Sequence, residues 1–182
     1  MPRRHVAARL QVQVELEQFA ARFVATAPNH DLLASANWGT VSLRPLIETA
    51  LEPYLSEDKA NVLLDGPEIR MTANGATTLG MILHELVTNA SKYGALSVAG
   101  GRVEISWGPV TLKPADEPVV QLKWVENGGP PVETASPAGF GTNFITRSAE
   151  YEMTGKADLE LAPDGVRCTI TFPASGNIDQ MG

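Results

Sequence analysis

The sequence lacks most of the features that would assign it at a glance. Its single cysteine, Cys168, in 182 residues excludes a disulfide framework and a cysteine-rich zinc site, and suits a reducing compartment. No apolar run approaches the length of a bilayer span. Neither a Gly-x-x-x-x-Gly-Lys-Ser/Thr loop nor a dinucleotide-type Gly-x-Gly-x-x-Gly occurs. His84-Glu85 opens like the zinc-protease pattern, but Thr88 stands where the second histidine belongs. Basic side chains are in deficit, 14 against 21 acidic ones for a net charge of -7, so the positive field required for non-specific nucleic-acid or anionic-membrane binding is missing. A polyphosphate ligand would need a cation or a local basic group to offset that charge. The basic start, Met1-Pro2-Arg3-Arg4-His5, leads into Ala, Gln and Glu rather than a signal-peptide apolar core. What is present, 43% hydrophobic and 19% charged residues, is enough for one domain with a real core. The expectation is a soluble cytoplasmic protein.

Along the chain, residues 6–24 carry no Gly or Pro and space Val6, Leu10, Val14, Leu16, Phe19 and Phe23 roughly as a helix does. Residues 1–35 are therefore read as a helical arm whose apolar stripe faces the main body or a second subunit. Residues 36–173 form the main domain and 174–182 a loose tail. Ser42 is placed to cap a helix from Leu43 to about Tyr54, with Pro45 in its first turn. Asn61–Leu64 and Glu68–Met71 read as short strands around the turn signal Asp65-Gly66-Pro67. Residues 76–93 form the clearest helix. Arg102–Trp107 alternates as a strand, and so do Val120, Leu122 and Trp124. A helix over Asn143–Met153 and a closing hairpin turning at Pro163-Asp164-Gly165 follow. Helices mixed with antiparallel hairpins predict a two-layer α/β sandwich rather than a doubly wound parallel sheet. Trp38, Trp107 and Trp124 are read as packing residues, and Cys168 as an inert core thiol.

Three segments could carry chemistry. On the central helix Leu79, Ile82, Leu83, Leu86 and Ala90 share a core face, and Glu85, Asn89 and Lys92 form a stripe beside it at i, i+4 and i+7. A solvated stripe with a Glu85–Lys92 pair accounts for this; so does a hard-cation and phosphate site, with the Asn89 amide oxygen suited to Mg²⁺ and Lys92 to phosphate. Strand parity sends Glu126 to the same side as Val120, Leu122 and Trp124. A carboxylate aimed at a covered face needs hydrogen-bond donors, and adenine, planar with an exocyclic amine, would supply one while Gly128 and Gly129 remove bulk beside it. Alternatively the strand stops before Glu126 and the side chain reaches water. Third, Gly139-Phe140-Gly141-Thr142 precedes a predicted helix, where glycines expose backbone amides to an anion; an ordinary turn accounts for a bare Gly-x-Gly equally.

The stretch His84-Glu85-Leu86-Val87-Thr88-Asn89-Ala90-Ser91-Lys92-Tyr93-Gly94-Ala95-Leu96-Ser97 resembles the N box of HWE sensor histidine kinases. Trp124-Val125-Glu126-Asn127-Gly128-Gly129-Pro130 resembles their altered first glycine box, and Gly139–Thr142 their second. The family's three letters correspond to His84, Trp124 and Glu126, and the resemblance runs from about Asn29 to Pro173. It implies the Bergerat (GHKL) ATP-binding fold, a mixed sheet with helices on one face, as the ATP-binding catalytic domain of a two-component sensor kinase. It further implies that Asn89 ligates Mg²⁺, that Lys92 and Tyr93 contact the nucleotide, and that Glu126 accepts the adenine amine. Gly128, Gly139, Gly141 and Thr142 would frame the nucleotide under a lid between Pro130 and Ala138. Glu85 would orient the acceptor or help remove its proton. The implied cofactors are ATP and Mg²⁺. The implied partners are a response-regulator receiver domain and a phosphoacceptor helical hairpin outside this segment, with homodimerisation through the arm. Two departures stand out. His5-Val6-Ala7-Ala8-Arg9 does not reproduce the phosphoacceptor pattern, so a shortened or atypical member is expected, without self-phosphorylation on a histidine of its own. Val166 and Arg167 occupy a place where many relatives of the wider fold have a small hydroxylated residue that makes a water-mediated adenine contact. Two other readings share the fold: a docking module that has lost nucleotide binding, and an anti-sigma-type protein-serine kinase.

Overall fold

A computed structural model describes residues 40–55, 61–111, 117–131 and 140–181. Its elements run β1 (Thr40–Ser42), α1 (Leu43–Leu51), β2 (Val62–Asp65), β3 (Ile69–Thr72), α2 (Ala73–Lys92), β4 (Arg102–Val110), β5 (Val119–Asn127), α3 (Phe140–Tyr151), β6 (Lys156–Ala162), β7 (Gly165–Pro173) and β8 (Ile178–Met181). The arm 1–35 and most of the expected lid fall outside the described residues.

Period-two alternation builds the larger sheet. On β4, β5 and β7 the residues Val103, Ile105, Trp107, Val120, Leu122, Trp124, Cys168, Ile170 and Phe172 are buried, while Arg102, Glu104, Ser106 and Lys123 between them are exposed. The strand order is β2-β4-β5-β7-β6. Only β2–β4 is parallel; the other neighbours are antiparallel, so the sheet is mixed. The core-facing residues of α2 (Leu79, Ile82, Leu83, Leu86, Ala90) join Leu43 and Ile47 of α1 and Ile145 and Ala149 of α3 in one apolar cluster with the sheet's inner face. This is the expected two-layer sandwich with helices on one face. Cys168 is buried in it, which pushes its thiol up to about 12 and leaves it inert.

Element ends follow local chemistry. Thr72 Oγ1 accepts from the Gly75 amide at 3.1 Å, an N-cap that starts α2 at Ala73, a few residues before its apolar period begins. Ser42 occupies the N-cap of α1 without a side-chain capping bond. That helix stops at Leu51, and the rest of the expected stretch, Glu52–Tyr54 with Pro53 inside it, is a 3₁₀ turn. The helix expected from Asn143 starts earlier, at Phe140.

One finding extends the sequence reading of the strands and one corrects it. The strands flanking Asp65-Gly66-Pro67 do not pair with each other: β2 joins the large sheet beside β4, and β3 lies between β1 and β8 in a separate three-stranded sheet. The crossing is fixed by Trp107, whose ring fills the space beside Gly66 and whose Nε1 donates to Pro67 O at 2.9 Å. Arg44 lies over that ring, 4.9 Å from its centroid, and donates to Gly66 O at 3.2 Å. Second, the region expected as a loose tail is folded: Ile178–Met181 pair antiparallel with β3 as β8. The turn before it is held by Asn177, buried, whose Nδ2 donates to Met153 O at 3.0 Å and Pro173 O at 3.1 Å, while its carbonyl accepts from the Thr72 amide at 2.9 Å. Asn177→Ala is expected to lower the unfolding free energy in urea by about 2 kcal/mol, because one buried and one half-buried carbonyl lose their donor. A loss under a few tenths of a kcal/mol would show the turn to be held by its backbone alone.

Candidate functional site at the carboxyl end of the central helix

Glu85 and Asn89 are one turn apart on α2, and Asn89 Nδ2 donates to Glu85 Oε1 at 3.0 Å. This commits the amide NH₂ to the carboxylate and leaves Oδ1 as the acceptor available to a cation. The Glu85–Lys92 pair that an ordinary surface stripe would form does not occur, whereas Lys156–Asp158 and Arg167–Asp164 do pair at the surface. Lys92 is exposed in the last turn of α2, and Tyr93 beyond it is 73% exposed. Half-buried His84 has its pKa lowered by desolvation, with Glu85 opposing and Lys92 adding to the shift.

The start of α3 lies directly against this pair. A Cβ at Gly141 would strike Glu85 Oε1 and come within 3.1 Å of Asn89 Nδ2, so only glycine fits without a shift there. Thr142, in the same first turn, is half-buried, and its carbonyl accepts from Thr146 Oγ1 at 3.0 Å. Gly139 lies outside the described residues.

Beyond the end of α2 the chain reaches Glu126. Strand β5 continues through Asn127, so the carboxylate does turn inward, at 3% exposure. Its Oε2 accepts from the Ala95 amide at 2.8 Å and its Oε1 from the Trp124 indole Nε1 at 3.1 Å. Burial raises its pKa, and those two donors pull it part of the way back. Gly94 makes the approach possible: its backbone is extended, yet a side chain there would collide with Glu126 Oε2.

The glycines after β5 do something other than leave room for a flat molecule. A Cβ on Gly128 would meet Gly100 O at 3.2 Å, and one on Gly129 would meet the Ala95 nitrogen at 2.8 Å. The space they free is filled by this chain's own residues 94–101. Gly128 also adopts φ +71°, a left-handed conformation natural to glycine.

The last turns of α2 and the residues just after it thus touch both distant segments, Gly141 through Glu85 and Asn89, and Glu126 through Gly94 and Ala95. Sequence reasoning found the three segments and the inward Glu126. It missed Trp124 Nε1, Ala95 N and Gly94 as the groups that hold that carboxylate. One signal was available for the first, since Trp124 and Glu126, two apart on a strand, share a face.

The sequence model of the HWE histidine kinases matches residues 4–68. A blue-light-activated histidine kinase of Brucella anthropi is 34% identical over 166 residues, 91% of this chain. The chain belongs to the HWE histidine kinase family. It spans 33% of the length of that relative. The family match begins well before Asn29 and so takes in much of the N-terminal arm. Among solved structures, the histidine kinase domain of the Erythrobacter litoralis EL346 blue-light activated histidine kinase shares the fold of this HWE chain. Its TM-score is 0.55 at 15% identity, covering 91% of this chain and 75% of that one. The histidine kinase ThkA, solved in complex with the response regulator protein TrrA, has a TM-score of 0.50 at 18% identity, covering 75% of this chain and 42% of that one. The architecture is that of histidine kinase catalytic domains, the Bergerat type.

Proposed function

We propose that this chain is the Mg-ATP-binding catalytic domain of an HWE-type sensor histidine kinase. The γ-phosphate of ATP goes to a histidine on a helical hairpin outside these residues, and from there to an aspartate of a response regulator. The observation that carries the reading is the convergence at the end of α2. Asn89, which lies against Gly141, and Ala95, whose amide holds Glu126, are six residues apart across the end of α2 and the turn that follows it.

The residues fit the groups the reading requires. Asn89 Oδ1 is a hard oxygen donor with its NH₂ already engaged by Glu85. No cluster of three or more His, Cys, Asp or Glu able to hold a metal occurs among the described residues. Mg²⁺ suits such a place, because it keeps waters and substrate phosphates in its shell rather than an all-protein cage. When bound it neutralises phosphate charge, which a chain of net charge -7 cannot do with Lys92 alone. Lys92 and Tyr93, both exposed, are free to meet the nucleotide, Lys92 at its phosphates, and Gly139, Gly141 and Thr142 frame it, while Gly128 acts indirectly by letting residues 94–101 close beside Glu126. Glu126 accepts the adenine amine. Glu85 orients the acceptor histidine or takes its proton, while its Oε1 holds the Asn89 amide in place. Such a transfer depends mainly on positioning and charge neutralisation. ThkA bound to a response regulator supports a receiver domain as partner. Among the described residues no helix is long and apolar enough to cross a membrane.

The test is transfer from labelled ATP to a supplied phosphoacceptor hairpin. An acid-labile, base-stable product is expected, as a phosphohistidine gives. An acid-stable product would favour the serine-kinase reading, and no product together with no ATP binding would favour a docking module.

A further inference from the structure

Trp124 and Glu126 project from the same face of β5, and both are buried, at 0% and 3% exposure. The indole ring is packed within the apolar cluster, so its Nε1–H has a fixed direction, and that direction is Glu126 Oε1, 3.1 Å away. The Ala95 amide takes the other oxygen at 2.8 Å. A carboxylate has about four lone-pair sites, so one donor on each oxygen leaves acceptor capacity on both while fixing the group's plane. The other described indole behaves differently: Trp107 Nε1 donates to a neutral backbone carbonyl, Pro67 O, at 2.9 Å. Satisfying a buried indole does not in itself call for a carboxylate.

We infer that Trp124 is a positioning residue for base recognition, whose indole N–H fixes the Glu126 carboxylate so that it selects purines bearing an exocyclic amine at C6. The inference rests on the reading of Glu126 as the base acceptor. A carboxylate pinned in one plane rewards a donor at the right place, repels a carbonyl oxygen there, and gains nothing from a hydrogen. Unpinned on one side, it can rotate toward whatever donor the ligand or water offers, and the selection weakens. Burial, which already opposes ionisation of Glu126, also opposes it more strongly when the indole donor is gone.

The experiment compares two ligands, ATP and purine riboside triphosphate, which carries hydrogen in place of the amine, on the wild-type protein and on Trp124→Phe, with inorganic tripolyphosphate as control. The wild type is expected to prefer ATP by about tenfold, the worth of one charge-assisted hydrogen bond. In Trp124→Phe the preference should fall to about twofold, with tripolyphosphate affinity unchanged. A preference unchanged by the substitution overturns the role of Trp124 and leaves Glu126 as the acceptor. A wild type that binds no nucleotide, or binds both nucleotides equally, overturns the reading of Glu126 itself, and the inference with it. Should Trp124→Phe fail to fold, the Trp124 indole N–H resonance of ¹⁵N-labelled wild type decides. It should shift on adding ATP and much less on adding purine riboside triphosphate. Equal shifts with the two, or none with ATP, overturn the inference.

Discussion

Asn89→Ala is expected to abolish Mg²⁺-dependent ATP binding while the domain stays folded. The side chain is half-buried beside the core face of α2, not in it. Its one side-chain bond in the structure, to the Glu85 carboxylate, is worth about 1–3 kcal/mol, less than the stability of an ordinary domain. Loss of an outer partner of a metal ligand typically weakens metal affinity by about 10–100-fold, so loss of the ligating oxygen itself should cost at least about 100-fold. Calorimetric titration with ATP, with and without Mg²⁺, reads the binding, and circular dichroism reads the fold. Retained Mg²⁺-dependent affinity in a folded variant would reduce the Glu85–Asn89 pair to ordinary helix-surface polarity.

Glu126→Ala is expected to act on stability and recognition together. Removing the carboxylate leaves the Ala95 amide and the Trp124 indole buried without acceptors. At about 1–3 kcal/mol for each orphaned donor, the variant should lose about 2–5 kcal/mol, a large share of the stability of an ordinary domain. In the fraction that remains folded at low temperature, ATP affinity should fall well below that of the wild type while tripolyphosphate affinity changes little. Urea unfolding and competition binding separate the two effects. Equal losses for ATP and tripolyphosphate would make Glu126 a structural tie between β5 and the end of α2, and no more than that.

The sequence made the centre of this molecule legible and its margins much less so. The period of Leu79, Ile82, Leu83, Leu86 and Ala90 announces α2, and the alternation of Val120, Leu122 and Trp124 carries Glu126 inward with them. Both signals are local and run over several residues. The small sheet gave no such signal. β1 is only Thr40–Ser42, and β8, Ile178-Asp179-Gln180-Met181, has no run of alternating apolar residues. Each becomes a strand because β3 offers it a free edge. In the same way nothing local to Asp65-Gly66-Pro67 says that the strands on either side enter different sheets, and only Trp107, 40 positions away from Pro67, makes it a crossing between them.

At the site the limits are similar. Residue types and spacing singled out Glu85, Asn89, Lys92 and Glu126, but not what holds them. Gly94 makes room for the Glu126 carboxylate, a reason visible only when Glu126 lies against it, and Gly141 does the same for Glu85 and Asn89. Gly128 and Gly129 carried the opposite lesson. Their missing side chains looked like space for a ligand, and the structure fills that space with residues 94–101 of the same chain.

The most direct measurement is a crystal structure of the protein with Mg²⁺ and a non-hydrolysable ATP analogue. A single bound nucleotide should have its adenine amine on the Glu126 carboxylate and its phosphate-bound cation on Asn89 Oδ1. A nucleotide bound elsewhere, or one that reaches only one of those two side chains, would contradict the account.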